Sequence, residues 1–513
     1  MSKKEKMLRS TMMVTLVIIL SKAFGFVRDM VTTSYFGLSF ENDAYNSAYS
    51  LFYLPVLLFN SCISATFIPL FLDERAKKGE KAANRFASNA INLFAAASIV
   101  VTVLFIALSK PLVTLVYQGF DEAKIEATAK LLRVMVMALV FNVTSISLAS
   151  LLNAAEKYIS AQLTGFPLSL CVIVASVCFS ERFGIIAVAW GVFAANVLQF
   201  LILIPFLTGW FKYHPVMDIR DENFRRLMKL AVPAMFAMGI SELNHMIDRM
   251  LASGLAEGTL SAMTSAYRLV TFVQGVLVVP LTTIMFSKMS KRVAEGDERG
   301  ALDMLLSSVT SLMSVVLPIV AIGFVLSGDV IRFAYMRGKF TADDVVITAG
   351  ILSFYLIGIP GFGIRDFLSR MFHALKDTKT PFLVSIAVVA SNIILNVILR
   401  ALMGANGLAL ATSIASYIGV TLLLILLKKR FGHIGLRGCL TEMLKIFGAT
   451  AVAAIAAVMM DSVMPAASGT LMSLIRLGVG AMVAFAAYIA AGLALKLDSL
   501  KQVVSAVAGR FNR

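Results

Sequence analysis

The sequence predicts an all-α polytopic membrane protein with about fourteen transmembrane helices, and three observations predict it. The 513-residue chain is 59% hydrophobic and only 15% charged, where soluble domains run at about 45–50% and about 25%. Its mean hydropathy is +0.85. Apolar runs of about 20 residues, each enough to cross ~30 Å of hydrocarbon as a helix, recur from end to end, and they are continuous rather than alternating. Continuous runs fit helices, which satisfy their own backbone in lipid, and not the alternating strands of a barrel.

Six expected spans fall near 10–36, 44–72, 86–108, 125–152, 158–180 and 184–209. Six more fall near 226–253, 261–287, 302–326, 345–372, 381–402 and 405–427, and the last two near 439–460 and 471–495. The first span follows a basic start, MSKKEKMLR, which imitates a signal peptide. No small-x-small cleavage site follows, and the apolar character continues past Lys22, so the segment reads as an uncleaved span. The loops then alternate in charge. DERAKKGEKAANR, KYHPVMDIRDENFRR, SKMSKRVAEGDERG, HALKDTKTP and LKKRFGHIGLRG are basic; GLSFEND, SERFG, GLAEGTL, RALMGANG and DSVMPAASGT are not. Roughly 28 Lys and Arg face roughly 7 across the two sides. Both termini are therefore expected in the cytoplasm, which requires an even number of spans. The final KLDSLKQVVSAVAGRFNR reads as a basic amphipathic tail on the inner leaflet.

The net charge of +16 would suggest nucleic acid in a soluble protein; here it is a topology signal and excludes that class. Cys62, Cys171, Cys178 and Cys439 lie in or beside apolar runs without CxxC spacing, so they read as small buried hydrophobes. No loop is long enough to fold as a domain. Asp121, Glu122, Asp343 and Asp344 in the outer loops read as helix-start charges, which leaves a membrane glycosyltransferase without acid–base carboxylates.

Landmarks recur at a fixed offset. RDM, SAYSL and a basic KKGEK loop in the first half answer to DRM, SAYRL and a basic KRVAEGDER loop in the second. Asp29 and Asp248, Tyr49 and Tyr267, and Ala154 and Ala374 are each separated by about 220 residues. Each copy holds an even number of spans, so the repeat is parallel, a plan that places substrate between halves which rock against each other. The last two spans stand outside the duplication.

Several spans carry charge, and a charge at bilayer depth costs on the order of 2.5–3.5 kcal/mol on insertion scales. In FGFVRDMVTT, Arg28 and Asp29 are adjacent, and Lys22 shares a face with Asp29. Arg268 in SAYRLVTFVQGV has no carboxylate within four residues. Arginine's planar fork suits phosphate, so Arg28 and Arg268, from corresponding regions of the two halves, are expected to hold one phosphorylated head group. In GIRDFLSR, Asp366 and Arg370 form an i,i+4 pair, and Arg365 is left as a further candidate. Asn392 and Asn396 share a face; Thr412 lies one turn from the Leu408 carbonyl. With Asp248 these oxygens make a candidate site for a small hard cation, or a set of polar groups that glue helices together.

GFVRD…NDAY, SELNHMIDRMLASGL…SAYRL, VIRFAYMRGKF, RMFHALKDTKTP and SNIILNVILRALMGANGLALATSIA together resemble the bacterial lipid II flippases (MurJ/MviN). This family belongs to the multidrug/oligosaccharidyl-lipid/polysaccharide (MOP) exporter superfamily. The resemblance covers essentially the whole chain. It implies two six-helix lobes in a V, residues 1–215 and 216–432, with 433–513 supplying two helices that groove the polyprenyl tail and a basic tail. It implies translocation of the undecaprenyl-pyrophosphate-linked peptidoglycan precursor, lipid II, from inner to outer leaflet of the bacterial cytoplasmic membrane by alternating access. The substrate residues it implies are Arg28 and Arg268, with Asp29 and Asp43 at matching acidic positions and Lys22 where relatives often have arginine. The sodium site it implies is Asp248, Asn392, Asn396, Leu408 and Thr412, with Asn396 replacing an aspartate of some relatives. Span two departs from the family: LPVLLFNSCISATF stands where relatives commonly carry an LLRR pair, so Lys22, Arg365 or another basic residue is expected to substitute.

The expected partners are lipid II and membrane lipids, without nucleic acid, for a monomeric chain. No GxxxxGK[ST] occurs, so the expected energy source is a gradient of Na+ or another monovalent cation, or the membrane potential, and not ATP. The alternative reading is an exporter of another polysaccharide-lipid or of a drug in the same superfamily. A cationic drug site would favour carboxylates and aromatics over the two arginines.

Overall fold

Residues 3–465 and 469–498 are described by a computed structural model; the expected basic tail beyond residue 498 lies outside them. Every regular element among the described residues is helical. Apolar segments in lipid have no water to bond their N–H and C=O groups, and the helix satisfies all but the terminal ones. Side chains take up many of those ends. Ser39, Asp121, Asp221 and Asp297 accept from the backbone three residues on, and Thr341 and Asp344 form a reciprocal capping box. The acidic residues Asp121 and Asp344 thus serve as the helix-start groups expected of them.

Ten helices among the described residues are long and apolar enough to cross a membrane, or eleven if Glu122–Val136 and Leu139–Ala154, bent by 41°, count as one span. Among the described residues that measure does not reach the expected fourteen or so. Phe40–Ala107 holds two expected spans in one helix of 68 residues, about 100 Å at 1.5 Å per residue, broken where Gly79 leaves helical geometry at φ 82° and ψ 178°. Lys3–Phe36 and Glu222–Ala252, of 34 and 31 residues, stand outside the ten and carry charged residues of the candidate site.

Two compact units divide the chain at Ser261. In the first, Phe40–Ala107 packs against Leu139–Ala154, Glu122–Val136 and Glu222–Ala252, while Lys3–Phe36 packs on Gly165–Phe183. Packing thus counts Glu222–Ala252 with the first unit, whereas the sequence repeat starts a new copy at 216. The segment between is fastened along the second arm of Phe40–Ala107. Asn89 exchanges two hydrogen bonds with the backbone of Asp218 (2.9 and 2.6 Å), Asn92 donates to the Val216 carbonyl (2.8 Å), and Ser88 accepts from His214 N–H (3.0 Å).

In the second unit Ala405–Phe431 packs on both Ala342–Ala374 and Lys379–Met403, and Leu436–Val463 packs on Thr470–Ala494. The last pair docks on Glu298–Val325, where the Tyr488 hydroxyl donates to the Ser314 carbonyl at 2.8 Å. In both units small polar residues are buried between helices beside apolar ones, Ser47, Ser88, Ser147 and Ser416 among them, and large apolar residues such as Leu115, Val463 and Leu402 are also outermost. Lipid permits that, because it solvates leucine as well as a neighbouring helix does.

The duplication is visible inside each unit. The Tyr117 hydroxyl donates to the Ser47 carbonyl and the Tyr335 hydroxyl to that of Ser265, both at 3.2 Å. Left-handed turns recur at Gly79 and Gly296, at Glu156 and Lys376, and at Gly184 and Gly404, each pair about 220 residues apart.

Gly119 lies against the backbone of Gly254: an added Cβ would stand 2.3 Å from its Cα and 2.4 Å from its nitrogen. Backbone atoms cannot rotate aside, so Gly119→Ala is expected to cost about 1–3 kcal/mol. Its thermal unfolding midpoint in detergent should fall, while that of Gly25→Ala, whose Cβ would meet nothing within 4 Å, should not.

Candidate functional site

The candidate site starts in Lys3–Phe36. The Arg28 guanidinium donates from Nε and Nη2 to one oxygen of Asp29, at 3.0 and 2.9 Å. Asp29 is buried, Arg28 is half-buried, and Lys22 is exposed, so Arg28 and not Lys22 takes the carboxylate. The helix runs unbroken past Gly25. Tyr45 and Tyr49 on Phe40–Ala107 lie within electrostatic reach of Arg28.

Asp43 is enclosed by its own unit. It is 1% exposed and accepts four hydrogen bonds: from Lys124 Nζ (2.7 Å), Gly258 N (2.8 Å), Ser261 N (2.8 Å) and Ser261 Oγ (2.7 Å). Lys124 is also set over the rings of Phe120 and Phe40. A carboxylate with four donors is already saturated, and the cluster ties the start of Phe40–Ala107 to two other segments of its unit. Its physical role is that of an anchor.

Also in the first unit, Glu222–Ala252 carries Glu242, half-buried, and Asp248, 5% exposed. Arg249, next to Asp248, donates to the Ser50 hydroxyl.

In the second unit, Arg268 is half-buried on Thr259–Val273, just ahead of a π-helical stretch, Gln274–Val278. Single π turns inside α-helices are frequent at functional positions. Tyr267 beside it packs on Tyr355, with ring centroids 5.4 Å apart. Arg365 is half-buried, stacks on Phe362 at 6.0 Å, and lies so close to Gly419 that a Cβ there would meet its Cδ at 2.9 Å. The expected Asp366–Arg370 pair forms at 3.0 Å.

The oxygen cluster of the second unit is well ordered. Asn396 Nδ2 donates to Asn392 Oδ1 (2.9 Å), Asn392 Nδ2 to Thr412 Oγ1 (3.4 Å) and Thr412 Oγ1 to the Leu408 carbonyl (3.1 Å), and all four residues are buried. Neutral amide, hydroxyl and carbonyl oxygens suit a hard cation of low charge, so this donor set fits a monovalent ion. It does not suit a transition metal, and no group of three His, Cys, Asp or Glu among the described residues does.

Two features escaped sequence reading. Lys124 in EAKIEA looks like an ordinary helix-surface charge, and only its packing over Asp43 marks it out. Arg476 in TLMSLIRLGVG is 9% exposed; it bonds Asp329 at 2.9 Å, the Asp461 carboxylate, and the carbonyls of Met464 and Pro465 at 3.0 and 2.6 Å. An arginine inside an apolar run is itself the signal, but its partners are far apart in sequence. The segment DTKTP is likewise explained by structure. Asp377 accepts from Thr380 N–H (3.0 Å) and Thr380 Oγ1 (2.7 Å) at the start of Lys379–Met403, bonds that hold its carboxyl below the usual carboxylate range.

The fold that positions these groups is shared with a solved inward-facing multidrug MATE transporter of the MOP superfamily, which superposes with a TM-score of 0.69 at 14% identity, over 83% of this chain and 98% of that one. A solved lipid II flippase MurJ in an inward-closed conformation superposes with a TM-score of 0.80 at 26% identity, covering 94% of this chain and 99% of that one. The family profile described as Lipid II flippase MurJ matches residues 32–479. Among curated relatives, the lipid II flippase MurJ of Thermosipho africanus is 30% identical over 82% of this chain and 85% of its own. A probable lipid II flippase MurJ of Buchnera aphidicola is 28% identical over 81% and 83%. The chain belongs to the lipid II flippase MurJ family, whose members are transporters and not enzymes.

Arg476→Ala is expected to lower stability by about 3–5 kcal/mol, because it leaves buried carboxylate charge short of its partner. Detergent unfolding curves read this, and Arg476→Met combined with Asp329→Leu should recover most of the loss, since an apolar replacement of a buried pair is close to neutral.

Proposed function

We propose that this protein flips lipid II from the inner to the outer leaflet of the bacterial cytoplasmic membrane, by alternating access of its two six-span repeats and with both termini in the cytoplasm. Family membership supports the substrate, and the single observation that carries the chemistry is Arg28, half-buried in an apolar helix beside one carboxylate. In this reading Arg28 and Arg268, one from each repeat, contact the pyrophosphate, with Arg365 contributing further positive charge. Asp29 neutralises Arg28 while no substrate is bound and yields it to the pyrophosphate, whose oxygens make the stronger bidentate match to the guanidinium fork. Exposed Lys22 attracts the anion without holding it, and Asp43 takes no part beyond anchoring its helix.

The isoprenoid tail stays in lipid beside Leu436–Val463 and Thr470–Ala494. Their strongly exposed Leu444, Val463 and Leu471 support that placement. A monovalent cation such as Na+, bound by the Asn392, Asn396, Leu408 and Thr412 oxygens, with Asp248 as the carboxylate that the sequence pairs with them, would supply positive charge that favours one state over the other. The cation gradient or the membrane potential then resets the inward state, without ATP and in a monomer.

The test is flipping by purified protein in proteoliposomes, with Arg28→Ala and Arg268→Ala. Loss of a charge-assisted contact worth about 1.5–3 kcal/mol should slow lipid II movement roughly tenfold or more in each. Wild-type rates from both variants at equal abundance would remove the clamp.

A further inference from the structure

Span two carries its polarity on the wrong side for a helix surrounded by lipid. Within residues 42–64 the exposed side chains, among those described, are Tyr53, Asn60 and Ser64, and their spacings of seven and four put them on one helical face. Half-exposed Asn46, Tyr49 and Leu57 extend the same stripe, while Ala44, Ala48, Leu51, Phe52 and Ile63 are buried. An amide moved from water to hydrocarbon without partners costs roughly 2–7 kcal/mol, and Asn60 is too far from either end of the helix to reach the interface. The stripe therefore faces water.

Its composition is selective. The rings of Tyr45, Tyr49 and Tyr53 stack in series, with centroids 6.2 and 6.3 Å apart and interplanar angles of 27° and 12°. Ser64 Oγ donates to Asn60 Oδ1 at 2.9 Å, and among the described residues nothing takes the Asn60 N–H donors. No Lys or Arg occurs between residues 42 and 64, so the stripe has nothing for a phosphate, which is left to Arg28 beside the Tyr45–Tyr49 end. Aromatic faces followed by neutral donors and acceptors match a ligand with apolar C–H faces and many hydroxyl and amide groups. From Tyr49 to Ser64 the stripe runs about 22 Å, longer than a disaccharide.

We propose that this stripe is a carbohydrate subsite, in which Tyr49 and Tyr53 stack on sugar rings and Asn60 and Ser64 bond their hydroxyl or acetamido groups. It rests on the flippase reading and names the part of the substrate that span two recognises. Where LPVLLFNSCISATF lacks the family's basic pair, the chain contributes sugar contacts in place of charge. Tyr53 and Asn60 are then specificity-determining residues.

The experiment measures binding of two probes, lipid II and undecaprenyl pyrophosphate, to the full-length protein in nanodiscs. The wild type should bind lipid II the more tightly. Tyr53→Leu and Asn60→Leu should each lose about tenfold in lipid II affinity, as sites built to bond a polar group do when it is removed, and stay within about twofold for undecaprenyl pyrophosphate, which also reports folding. Tyr53→Phe, which keeps the ring, should remain near wild type with both. Equal weakening for both probes, or no weakening for lipid II, overturns the subsite; so does tight binding of tetraphenylphosphonium that Tyr53→Leu abolishes, which would mark a cation site. A wild type that binds both lipids alike sinks the sugar assignment alone, whereas one that binds neither sinks the flippase reading with it.

Discussion

Hydrocarbon offers no hydrogen bonds, and that single constraint organises this molecule. Each polar group placed at membrane depth has to be answered by the protein, by water or by a ligand. The backbone is answered by making every regular element a helix. Buried carboxylates are answered one by one: Asp43 by Lys124, Ser261 and the Gly258 amide, Asp329 by Arg476 and Arg332, Asp29 by Arg28 among others. These pairs differ in how fully they are closed. Asp43 has four donors and no capacity left, which makes it architecture. The Arg28 guanidinium places two donors on one oxygen of its neighbour. The pairs thus differ in saturation more than in charge.

The same constraint explains how the last two spans are attached. They have no counterpart in the duplicated halves, and apolar packing alone would hold them weakly, since lipid solvates leucine as well as a neighbouring helix does. Polar ties do the fastening instead. Tyr488 reaches the Ser314 carbonyl, and Arg476 gathers Asp329, Asp461 and two carbonyls at the other end of its helix. Leu436–Val463 and Thr470–Ala494 thus present exposed apolar side chains outward while the buried Arg476 is turned inward.

Duplication of the chain shows how deeply sequence repeat and local geometry agree. Tyr117 and Tyr335 bond serine carbonyls at the same distance, and Glu156 and Lys376 adopt the same left-handed turn without being glycine. Yet the two copies have diverged in the polar residues they carry. The first has the Arg28–Asp29 pair and the tyrosine ladder; the second has Arg268, a π turn and a neutral oxygen cluster. A common scaffold thus carries unlike polar linings in its two copies.

Much of this could be read from the sequence alone. Hydropathy period and loop charge suffice for a helical membrane protein, because a run of apolar residues has only one way to satisfy its backbone in lipid. The landmarks RDM, SAYSL and SAYRL exposed the repeat, and the i,i+4 rule anticipated Asp366–Arg370 and the Asn392–Asn396 contact, since both are fixed by helix geometry within one element. Contacts between elements were not legible. Nothing in NDAY says that Asp43 is sealed by a lysine 81 residues away, and nothing in LIRLGVG says that Arg476 meets Asp329 across 147 residues. The face that span two turns to water was equally hidden, because 3.6-residue periodicity marks which residues share a side but not what that side meets. Sequence determined the helices, the duplication and which spans carry charge. Tertiary structure alone decided which of those charges are already neutralised, because neutralisation is a matter of distance between groups that the chain brings together only when it folds.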